Sequence, residues 1–319
     1  MTKIKEIENY YALYEDTSRK KEYEQLLEKL SNTTNSREFF EKNLKKEVYS
    51  KRKKLHTDII NGYLDQYKSQ KNPTFHFILG SIGSGKTSLK DTIFEHVPKK
   101  NFLYINFDEI KLKLPEYKIL KKINPKKASY FVQSESAKVA GTLRDKAMKK
   151  RLNIVYEKNV RISKDGTLRL SGEMKEAFKK KYEVTIHVVF LDNVKEAWKR
   201  VEKRYEKTKR YVSKEDVKVT FQGLFPNLNR MINEVKGTYH IVLHYNSGSD
   251  IKNQCIGGIS IAGGVSENMT SIKKPYDDFF LLYQSSRYWG IFFKDRVNAL
   301  PPLVQSRLKQ LSFFKSILR

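Results

Sequence analysis

A glycine-rich segment after an apolar run carries the most specific chemistry in this sequence. The apolar run extends from Phe75 to Leu79, and the pattern G-x-x-x-x-G-K-T follows from Gly80 to Thr87. A strand before this pattern and a helix after it are the context that a phosphate-binding loop requires. The backbone N–H groups of such a loop face inward as an anion site at a helix N-terminus. The segment therefore predicts binding of a nucleoside triphosphate such as ATP.

The positions of this loop have separate expected roles. The ammonium of Lys86 would bind the β- and γ-phosphates, and the hydroxyl of Thr87 would bind Mg²⁺. A chance match in a Gly/Ser-rich loop is the alternative, and the preceding apolar run argues against it. The expected nucleotide-binding residues are Gly80, Ser81, Ile82, Gly83, Ser84, Gly85, Lys86, Thr87 and Ser88.

An acid follows the second apolar run of the chain. Asp108 comes directly after Phe102–Phe107, at the end of an expected strand. In a kinase, a carboxylate at such a position accepts the proton of the attacking hydroxyl. Asp108 is therefore the candidate general base. The alternative is that Asp108 only caps the next helix.

A third strand end carries polar residues at alternating positions. Glu157, Asn159 and Arg161 would point in one direction on an extended segment, which suits recognition of a substrate beside the phosphate loop. An ion pair between Glu157 and Arg161 is the structural alternative. Glu135, near the start of an amphipathic helix, is a further candidate for substrate binding, and a favourable interaction with the helix dipole is its alternative role.

A basic segment follows the fourth expected strand. Arg204 and Arg210 lie in a run of alternating charges between Trp198 and Glu215. Phosphoryl transfer spreads negative charge over equatorial oxygens, which mobile arginines can neutralise. The two arginines are therefore candidate catalytic residues of a lid. A solvated basic helix is the alternative.

Charge and composition limit the partners only loosely. The 319 residues include 63 Lys+Arg and 36 Asp+Glu, a formal net charge of +27. This excess suits nucleic acid or an anionic membrane surface. Biased composition is the alternative, because lysines are spread along the chain. The single cysteine, the lack of a signal-peptide core and the lack of a membrane-length apolar run favour a cytoplasmic protein, with secretion as an effector left open.

The periodicity predicts helices first and then alternating strands and helices. Residues 1–70 have helical spacing, and five short apolar runs separated by helical patterns follow. This order favours a parallel sheet with ligands at the carboxyl ends of its strands. A helix over Asp216–Glu234 is expected to be interrupted near Pro226. The glycine-rich segment Cys255–Gly264 predicts a turn or hairpin, and the tail from Leu303 to Leu318 predicts a docked helix. The expected strands are Phe75–Leu79, Phe102–Phe107, Asn153–Glu157, Val184–Leu191 and Tyr239–His244.

Together, these motifs resemble the zeta toxin family of P-loop kinases over residues 52–245. The phosphate loop alone is shared by many activities, whereas the ordered set is much more specific. Besides the loop, the motifs are Arg52-x-x-x-His56-Thr-Asp-Ile-Ile, Asn-Phe-Asp108-Glu-x-x-x-x-Leu-Pro-Glu-Tyr, Ser134-Glu-Ser-Ala, Val-Tyr-Glu157-x-Asn-x-Arg161 and Arg204-Tyr-Glu…Arg210-Tyr-Val-Ser-Lys-Glu.

The resemblance implies an α/β P-loop NTPase fold with an adenylate-kinase-like, parallel five-stranded sheet flanked by helices. It implies transfer of the ATP γ-phosphate to a hydroxyl of a UDP-N-acetyl amino sugar. Asp108 matches the family's base, Lys86 and Thr87 its phosphate and Mg²⁺ ligands, and Arg204 and Arg210 its lid arginines. Glu157 and Arg161 match its sugar-nucleotide site, and Glu135 is the nearest match to its substrate-binding acid on the preceding helix.

One departure bears on the acceptor. Where the family has Glu/Asp-Gly-Thr-x-Arg, this chain has Lys158 in place of glycine and Asn159 in place of the hydroxyl residue. The acceptor of this protein can therefore differ from that of its relatives. A polynucleotide 5′-hydroxyl kinase and a nucleotide-dependent switch ATPase are the alternative functions.

The expected organisation has three consecutive parts. Residues 1–50 form an N-terminal helical extension, residues 51–245 the kinase domain, and residues 246–319 a C-terminal extension. In the family that the sequence resembles, an inhibitory helical module often blocks the nucleotide site, usually as a separate antitoxin. An antitoxin is therefore an expected partner. Residues 1–50 are a candidate inhibitor in cis, and a structural role is their alternative.

Overall fold

The protein has two compact units, each built from separate stretches of chain. The computed structural model describes residues 3–41, 46–93, 101–163, 165–246, 254–262, 265–267 and 302–310. The first unit contains Met1–Lys68, Leu103–Lys150 and Glu202–Val212, and the second contains Ser69–Phe102, Arg151–Val201 and Ser213–Arg319. This division by contacts differs from the three consecutive parts expected from the sequence. The functions assigned to those three parts stay predictions.

Helices precede and then alternate with strands along the described chain. A 3-10 turn over Thr17–Arg19 separates the first two helices. In chain order the other elements are α1 (Lys3–Glu15), α2 (Lys20–Thr33), α3 (Ser36–Glu41), α4 (Lys46–Leu64), β1 (Thr74–Gly80), α5 (Lys86–Ile93), β2 (Leu103–Asn106), α6 (Phe107–Lys111), α7 (Pro115–Ile123), α8 (Pro125–Lys149), β3 (Ile154–Lys158), α9 (Arg169–Lys179), β4 (Glu183–Phe190), α10 (Val194–Thr208), α11 (Lys214–Glu234), β5 (Tyr239–Tyr245), β6 (Gln254–Ala262), β7 (Val265–Glu267) and α12 (Pro302–Leu308).

The first unit is helical around one aromatic core. Helices α1, α2 and α3 place apolar side chains at helical spacing, and these side chains pack against α7 and α8. Proline at the first position of both α7 and α8, and Asn124 as the cap of α8, fix the corner between these two helices. The N-terminal helices thus complete the core of this unit. The buried members of the core are Ile7, Tyr10, Leu13, Tyr23, Leu27, Leu30, Phe39, Phe40, Leu114, Tyr117, Leu120, Ala128, Phe131 and Val132.

The second unit is built on a mostly parallel sheet. In its strand order β3-β1-β4-β5-β6-β7, the first four strands are parallel, and β6 and β7 are antiparallel additions beside β5. In the centre, Phe75 of β1 lies opposite Ile154 of β3 and Val184 of β4. Such buried apolar strands are typical of a parallel sheet covered on both faces.

Three histidines form a buried row across this sheet. Nδ1 of His76 lies 3.2 Å from Nε2 of His187, and Nδ1 of His187 lies 3.2 Å from Nε2 of His244. They come from β1, β4 and β5 and step along one face of the sheet. Each neutral ring can donate one hydrogen bond and accept one, so both links of the row can form when all three rings are uncharged. Burial lowers the pKa of all three rings, of His76 to about 4 and of His244 to about 3.

Most of the expected elements are confirmed. All five expected strands form, as does the helical N-terminal part, and the α/β class is confirmed. The glycine-rich segment Cys255–Gly264 is largely strand β6, which pairs with β7 as a hairpin, although residues 263–264 lie outside the described part. Helix α12 covers part of the predicted C-terminal helix. The rest of that prediction, residues 311–319, lies outside the described residues. Within the described helices, none has the length and apolar character needed to cross a membrane.

One prediction about a helix is wrong. Helix α11 continues from Lys214 to Glu234 through Pro226. Proline removes one N–H from the helix. The buried side chains around it, which include Phe225 and Leu228, anchor the helix on both sides. Packing therefore outweighs the local preference for a break.

Candidate functional site

The phosphate loop has the conformation that its glycines allow. Strand β1 ends at Gly80 and α5 begins at Lys86. Gly83 and Gly85 have φ values of +82° and +94°, which side chains rarely adopt. A Cβ atom on Gly83 would also lie 2.5 Å from the carbonyl oxygen of Ala197. The loop therefore turns tightly between a strand and a helix N-terminus, as the sequence predicts.

Two polar residues that the sequence analysis did not single out hold this loop. The backbone N–H of Ile82 donates to Oγ1 of Thr220 at 3.2 Å. Nδ2 of the fully buried Asn246 donates to the carbonyl oxygen of Ser84 at 2.8 Å, and its backbone N–H donates to Phe190. Asn246 directly follows the apolar strand β5. A polar residue at the carboxyl end of a strand is the sequence feature that could have identified it as a site residue.

The loop has unused capacity for an anion. The hydroxyl groups of Ser81 and Ser84 are buried, and neither has a hydrogen-bond partner among the described residues. The Lys86 ammonium lies 2.9 Å from both the Ser81 carbonyl oxygen and Oδ1 of Asn159. Buried hydroxyls without partners are costly unless a ligand or water satisfies them. The loop and Lys86 therefore suit a polyphosphate.

Two side-chain oxygens meet at the start of α5. The hydroxyl of Thr87 donates to Oε2 of the buried Glu157 at 3.2 Å. Mg²⁺ in nucleotide sites takes a few protein oxygens and fills its remaining positions with phosphates and water. This pair therefore suits Mg²⁺, and the role of Thr87 as a metal ligand stays a prediction.

The residues expected to bind the acceptor on β3 separate into two places. Glu157 and Asn159 contact Thr87 and Lys86 of the phosphate loop. Arg161 is exposed and pairs with Asp216 at 3.0 Å. The ion-pair partner of Arg161 is therefore Asp216 and not Glu157, which was the structural alternative for these residues.

In the first unit, Asp108 lies between two cations. The cap of α6 is Asn106, whose side chain accepts from the Asp108 N–H at 2.8 Å, so the interpretation of Asp108 as the cap is wrong. Its carboxylate pairs with Lys111 at 3.1 Å and with Arg210. Burial lowers the pKa of Arg210 to about 10, so this side chain stays charged at neutral pH. Asp108 and one candidate lid arginine therefore meet directly.

The second lid candidate lies elsewhere in the same unit. Arg204 is half-buried on α10 and near Tyr117. Burial raises the pKa of Tyr117, and the charge of Arg204 opposes that rise. The structure thus brings Arg210, rather than both arginines, into direct contact with the Asp108 carboxylate.

Glu135 belongs to a buried ionic cluster. The Arg52 guanidinium makes two hydrogen bonds to Glu135, at 2.6 and 2.7 Å, and two to Glu116, at 2.6 and 3.1 Å. Nε2 of His56 lies 2.6 Å from Glu135, and the Tyr10 hydroxyl donates to Glu116. Burial raises the pKa of Glu135, but Arg52 and His56 lower it more strongly, to well below its usual range. Sequence reasoning gave Glu116 no role, although it lies in the Leu-Pro-Glu-Tyr motif.

Comparison with known proteins gives a family and a fold. The profile of the zeta toxin family matches residues 60–252, more than half of the chain. Comparison with curated protein sequences gives no match. A chain of the PezAT chromosomal toxin-antitoxin system of Streptococcus pneumoniae superposes with a TM-score of 0.53 and 15% identity, over 83% of this chain and 96% of that one. At this identity, the likeness is one of fold.

Two other solved structures are less similar. A chain of the AvrRxo1-ORF1:-ORF2 complex with ATP has a TM-score of 0.49 and 13% identity, over 92% of this chain and 93% of that one. A chain of the Pnkp1/Rnl/Hen1 RNA repair complex has a TM-score of 0.36 and 16% identity, over 66% of this chain and 54% of that one. The family match, by contrast, includes the phosphate loop, Asp108 and the lid segment. The chain therefore belongs to the zeta toxin family of P-loop kinases.

Proposed function

We propose that this protein transfers the γ-phosphate of ATP to a hydroxyl group of a small molecule, with a UDP-N-acetyl amino sugar as the acceptor. The observation that carries the proposal is the phosphate loop, where two buried serine hydroxyls and the Lys86 ammonium suit a polyphosphate. Membership of the zeta toxin family supports a kinase. The nucleotide-sugar acceptor rests on the resemblance of the site motifs alone.

The proposed reaction is a direct displacement. The acceptor oxygen attacks the γ-phosphorus, the bond from that phosphorus to the β–γ bridging oxygen breaks, and ADP leaves. The hydroxyl proton passes to the carboxylate of Asp108. Because Arg210 pairs with Asp108 in the structure, we propose that it exchanges this carboxylate for the transferring phosphate when substrates bind. Arg204 is proposed to supply a second positive charge.

The loop side chains have distinct proposed tasks. Lys86 would leave the Ser81 carbonyl and bind the β- and γ-phosphates, and the hydroxyls of Ser81 and Ser84 would gain partners. Thr87 is the proposed Mg²⁺ ligand. When bound, Mg²⁺ neutralises charge on the phosphate oxygens during transfer. Glu157 and Asn159 already contact this loop, so we propose that they orient Thr87 and Lys86.

The test of this proposal is a phosphotransfer assay. The protein would be incubated with labelled ATP, Mg²⁺ and separate acceptors, namely UDP-N-acetylglucosamine, a 5′-hydroxyl oligonucleotide and water. We expect label in the nucleotide sugar, and Asp108→Asn should lower kcat by about 10²- to 10⁴-fold, the usual contribution of a general base. The surface variant Lys118→Ala is the matched control.

The other outcomes decide between the alternatives. Label in the oligonucleotide would show that the acceptor is a polynucleotide rather than a small molecule. The net charge of +27 favours this alternative. Release of phosphate to water that survives Asp108→Asn would indicate a switch ATPase instead. If the protein binds ATP but transfers phosphate to none of the acceptors, the proposed kinase activity of the isolated protein is contradicted.

An antitoxin partner and inhibition in cis by residues 1–50 are also proposed. In the first unit, the hydroxyl of Tyr10 reaches Glu116 in the cluster that holds Glu135. If α1 restrains the acceptor residue Glu135 through this contact, Tyr10→Phe should raise kcat/KM for the acceptor by up to about tenfold, since a buried hydrogen bond to a charged group is lost. An equal or lower kcat/KM, in a variant that still unfolds cooperatively above the assay temperature, would contradict inhibition through this contact.

A further inference from the structure

We infer that a cluster of tyrosines and lysines in the first unit binds the base and phosphate of a nucleotide. The cluster, here called the tyrosine platform, consists of Tyr130, Tyr205 and Tyr211 with Lys126 and Lys209. The inference rests on the proposed function in one respect, because it assigns the bound nucleotide to the acceptor.

The rings of the platform come together from three parts of the chain. The ring centroids of Tyr130 and Tyr211 are 6.4 Å apart, and those of Tyr205 and Tyr211 are 6.2 Å apart with an interplanar angle of 83°. Tyr130, on α8, is 49% exposed. Large aromatic side chains gathered at a surface are typical of binding sites.

The end of α10 creates this arrangement. Lys209 has a φ of +54° and its N–H donates to the Tyr205 carbonyl at 2.7 Å, so the helix stops in a left-handed cap. Glycine or asparagine is the usual residue in such a cap, and lysine is strained there. The reversal brings Tyr211 back beside Tyr205. The chain thus accepts a strained backbone where the lysine and the two rings meet.

The positive charges of the platform lie over its rings. The Lys126 ammonium is 5.8 Å from the Tyr211 ring centroid, and the Lys209 ammonium is 5.6 Å from the Tyr205 ring centroid. An ammonium over a ring face is a favourable but weak contact at an exposed site. A ligand with an aromatic base and a phosphate can replace it, because the base stacks on the ring while the ammonium pairs with the phosphate. The platform therefore matches a nucleotide in both shape and charge.

The platform adjoins the candidate base of the reaction. Tyr211 directly follows Arg210, whose guanidinium binds the Asp108 carboxylate. Because the two residues are neighbours in the chain, we assign the nucleotide on the platform to the acceptor, whose hydroxyl must reach Asp108. A sugar alone could stack on tyrosine but would not need the two lysines. A nucleotide-type acceptor, such as a UDP-linked sugar, uses every part of the cluster.

The test measures binding rather than turnover. Uridine, ribose 5-phosphate and UDP would be titrated by calorimetry into the full chain, with the phosphate loop first saturated with a non-hydrolysable ATP analogue and Mg²⁺. Stacking of one base on aromatic side chains is worth about 5- to 150-fold in affinity. We expect Tyr130→Ala to weaken uridine and UDP by a factor in this range and to leave ribose 5-phosphate unchanged. Lys126→Ala should weaken UDP and ribose 5-phosphate and spare uridine.

Two controls separate stacking from folding. Tyr130→Phe keeps the ring and should bind UDP like the wild type. Tyr14→Leu removes another exposed tyrosine of the same unit, 45% exposed, and should also leave UDP binding unchanged. Equal UDP affinity of the wild type and Tyr130→Ala, or no binding of UDP at all, would overturn the inference. Selective binding of a single-stranded oligonucleotide with no binding of UDP would overturn it too, in favour of nucleic acid. If UDP binding depends on Tyr130 but no transfer occurs, the platform stands and the kinase assignment fails.

Discussion

Acidification from pH 6.5 to about 4 is expected to unfold this protein steeply, because of the histidine row in the second unit. The three rings have a folded-state pKa below the value of about 6.5 that a histidine has in an unfolded chain. Between these pKa values, the unfolded state binds protons that the folded state does not. Stability is therefore complete above pH 6.5 and is lost as pH falls.

The size of this effect follows from the number of rings. Each excluded proton costs about 1.4 kcal/mol per pH unit, so three together cost about 4 kcal/mol per unit. A folded domain typically has about 5–15 kcal/mol in total. Protonation of the central ring, His187, would also require both of its neighbours to accept hydrogen bonds, which breaks the common direction of the row.

Urea unfolding at several pH values between 4.5 and 7.5 measures this dependence. His187→Gln is the informative variant, because the amide keeps a donor and an acceptor between His76 and His244 but does not titrate. The slope of unfolding free energy against pH should fall by about 1.4 kcal/mol per unit relative to the wild type. Carboxylates titrate equally in both proteins and cancel in the comparison. Identical slopes would show that His187 is already protonated in the fold or does not differ from its unfolded state.

Arg52→Ala is expected to destabilise the first unit by about 3–5 kcal/mol, because it leaves the carboxylates of Glu116 and Glu135 buried without their cation. Arg52 also lies 3.9 Å from the Phe40 ring centroid, so the substitution removes packing as well as charge. The unfolding free energy of Arg52→Lys should lie between those of the wild type and Arg52→Ala. Lysine keeps a positive charge, but its ammonium cannot make paired hydrogen bonds to two carboxylates.

The adjacent residue provides a matched control for Arg52. Lys51 pairs with Glu15 at 2.6 Å, but both side chains are more than half exposed. Lys51→Ala should change the unfolding free energy by less than about 1 kcal/mol. The triple variant Arg52→Met, Glu116→Leu, Glu135→Leu should regain most of the lost stability, since apolar replacement of a whole buried ionic cluster is often tolerated. Equal urea midpoints for Arg52→Ala and Lys51→Ala would contradict the role assigned to the cluster.

Local sequence was enough to predict the phosphate loop and the five strands. Gly83, Gly85 and Lys86 specify the loop because their conformations and chemistry depend mainly on near neighbours. Asp108 was found for a similar reason, since it follows an apolar strand. Its competing role as a helix cap went to Asn106, two residues earlier, which sequence alone does not distinguish from Asp108.

Long-range partners could not be predicted from one sequence. Arg52 and Glu116 are 64 positions apart, and Arg52 and Glu135 are 83 apart. Nothing local to any of them identifies the other two. The histidine row has the same origin, because its rings come from three separate strands and only strand register aligns them. Asn246 likewise acquires its role from the position of β5 beside the loop.

The assembly of the first unit from separated segments has a consequence during synthesis. Tyr10, Leu27 and Phe40 leave the ribosome well before α7 and α8, which cover them in the finished fold. At about 5–20 residues per second, the roughly 70 residues between α3 and α7 take about 4–15 s to translate. For that interval, these side chains can pack only on one another and on neighbouring residues, and not on α7 or α8. The nascent polypeptide therefore exposes apolar surface that the mature protein buries, which favours aggregation of the growing chain.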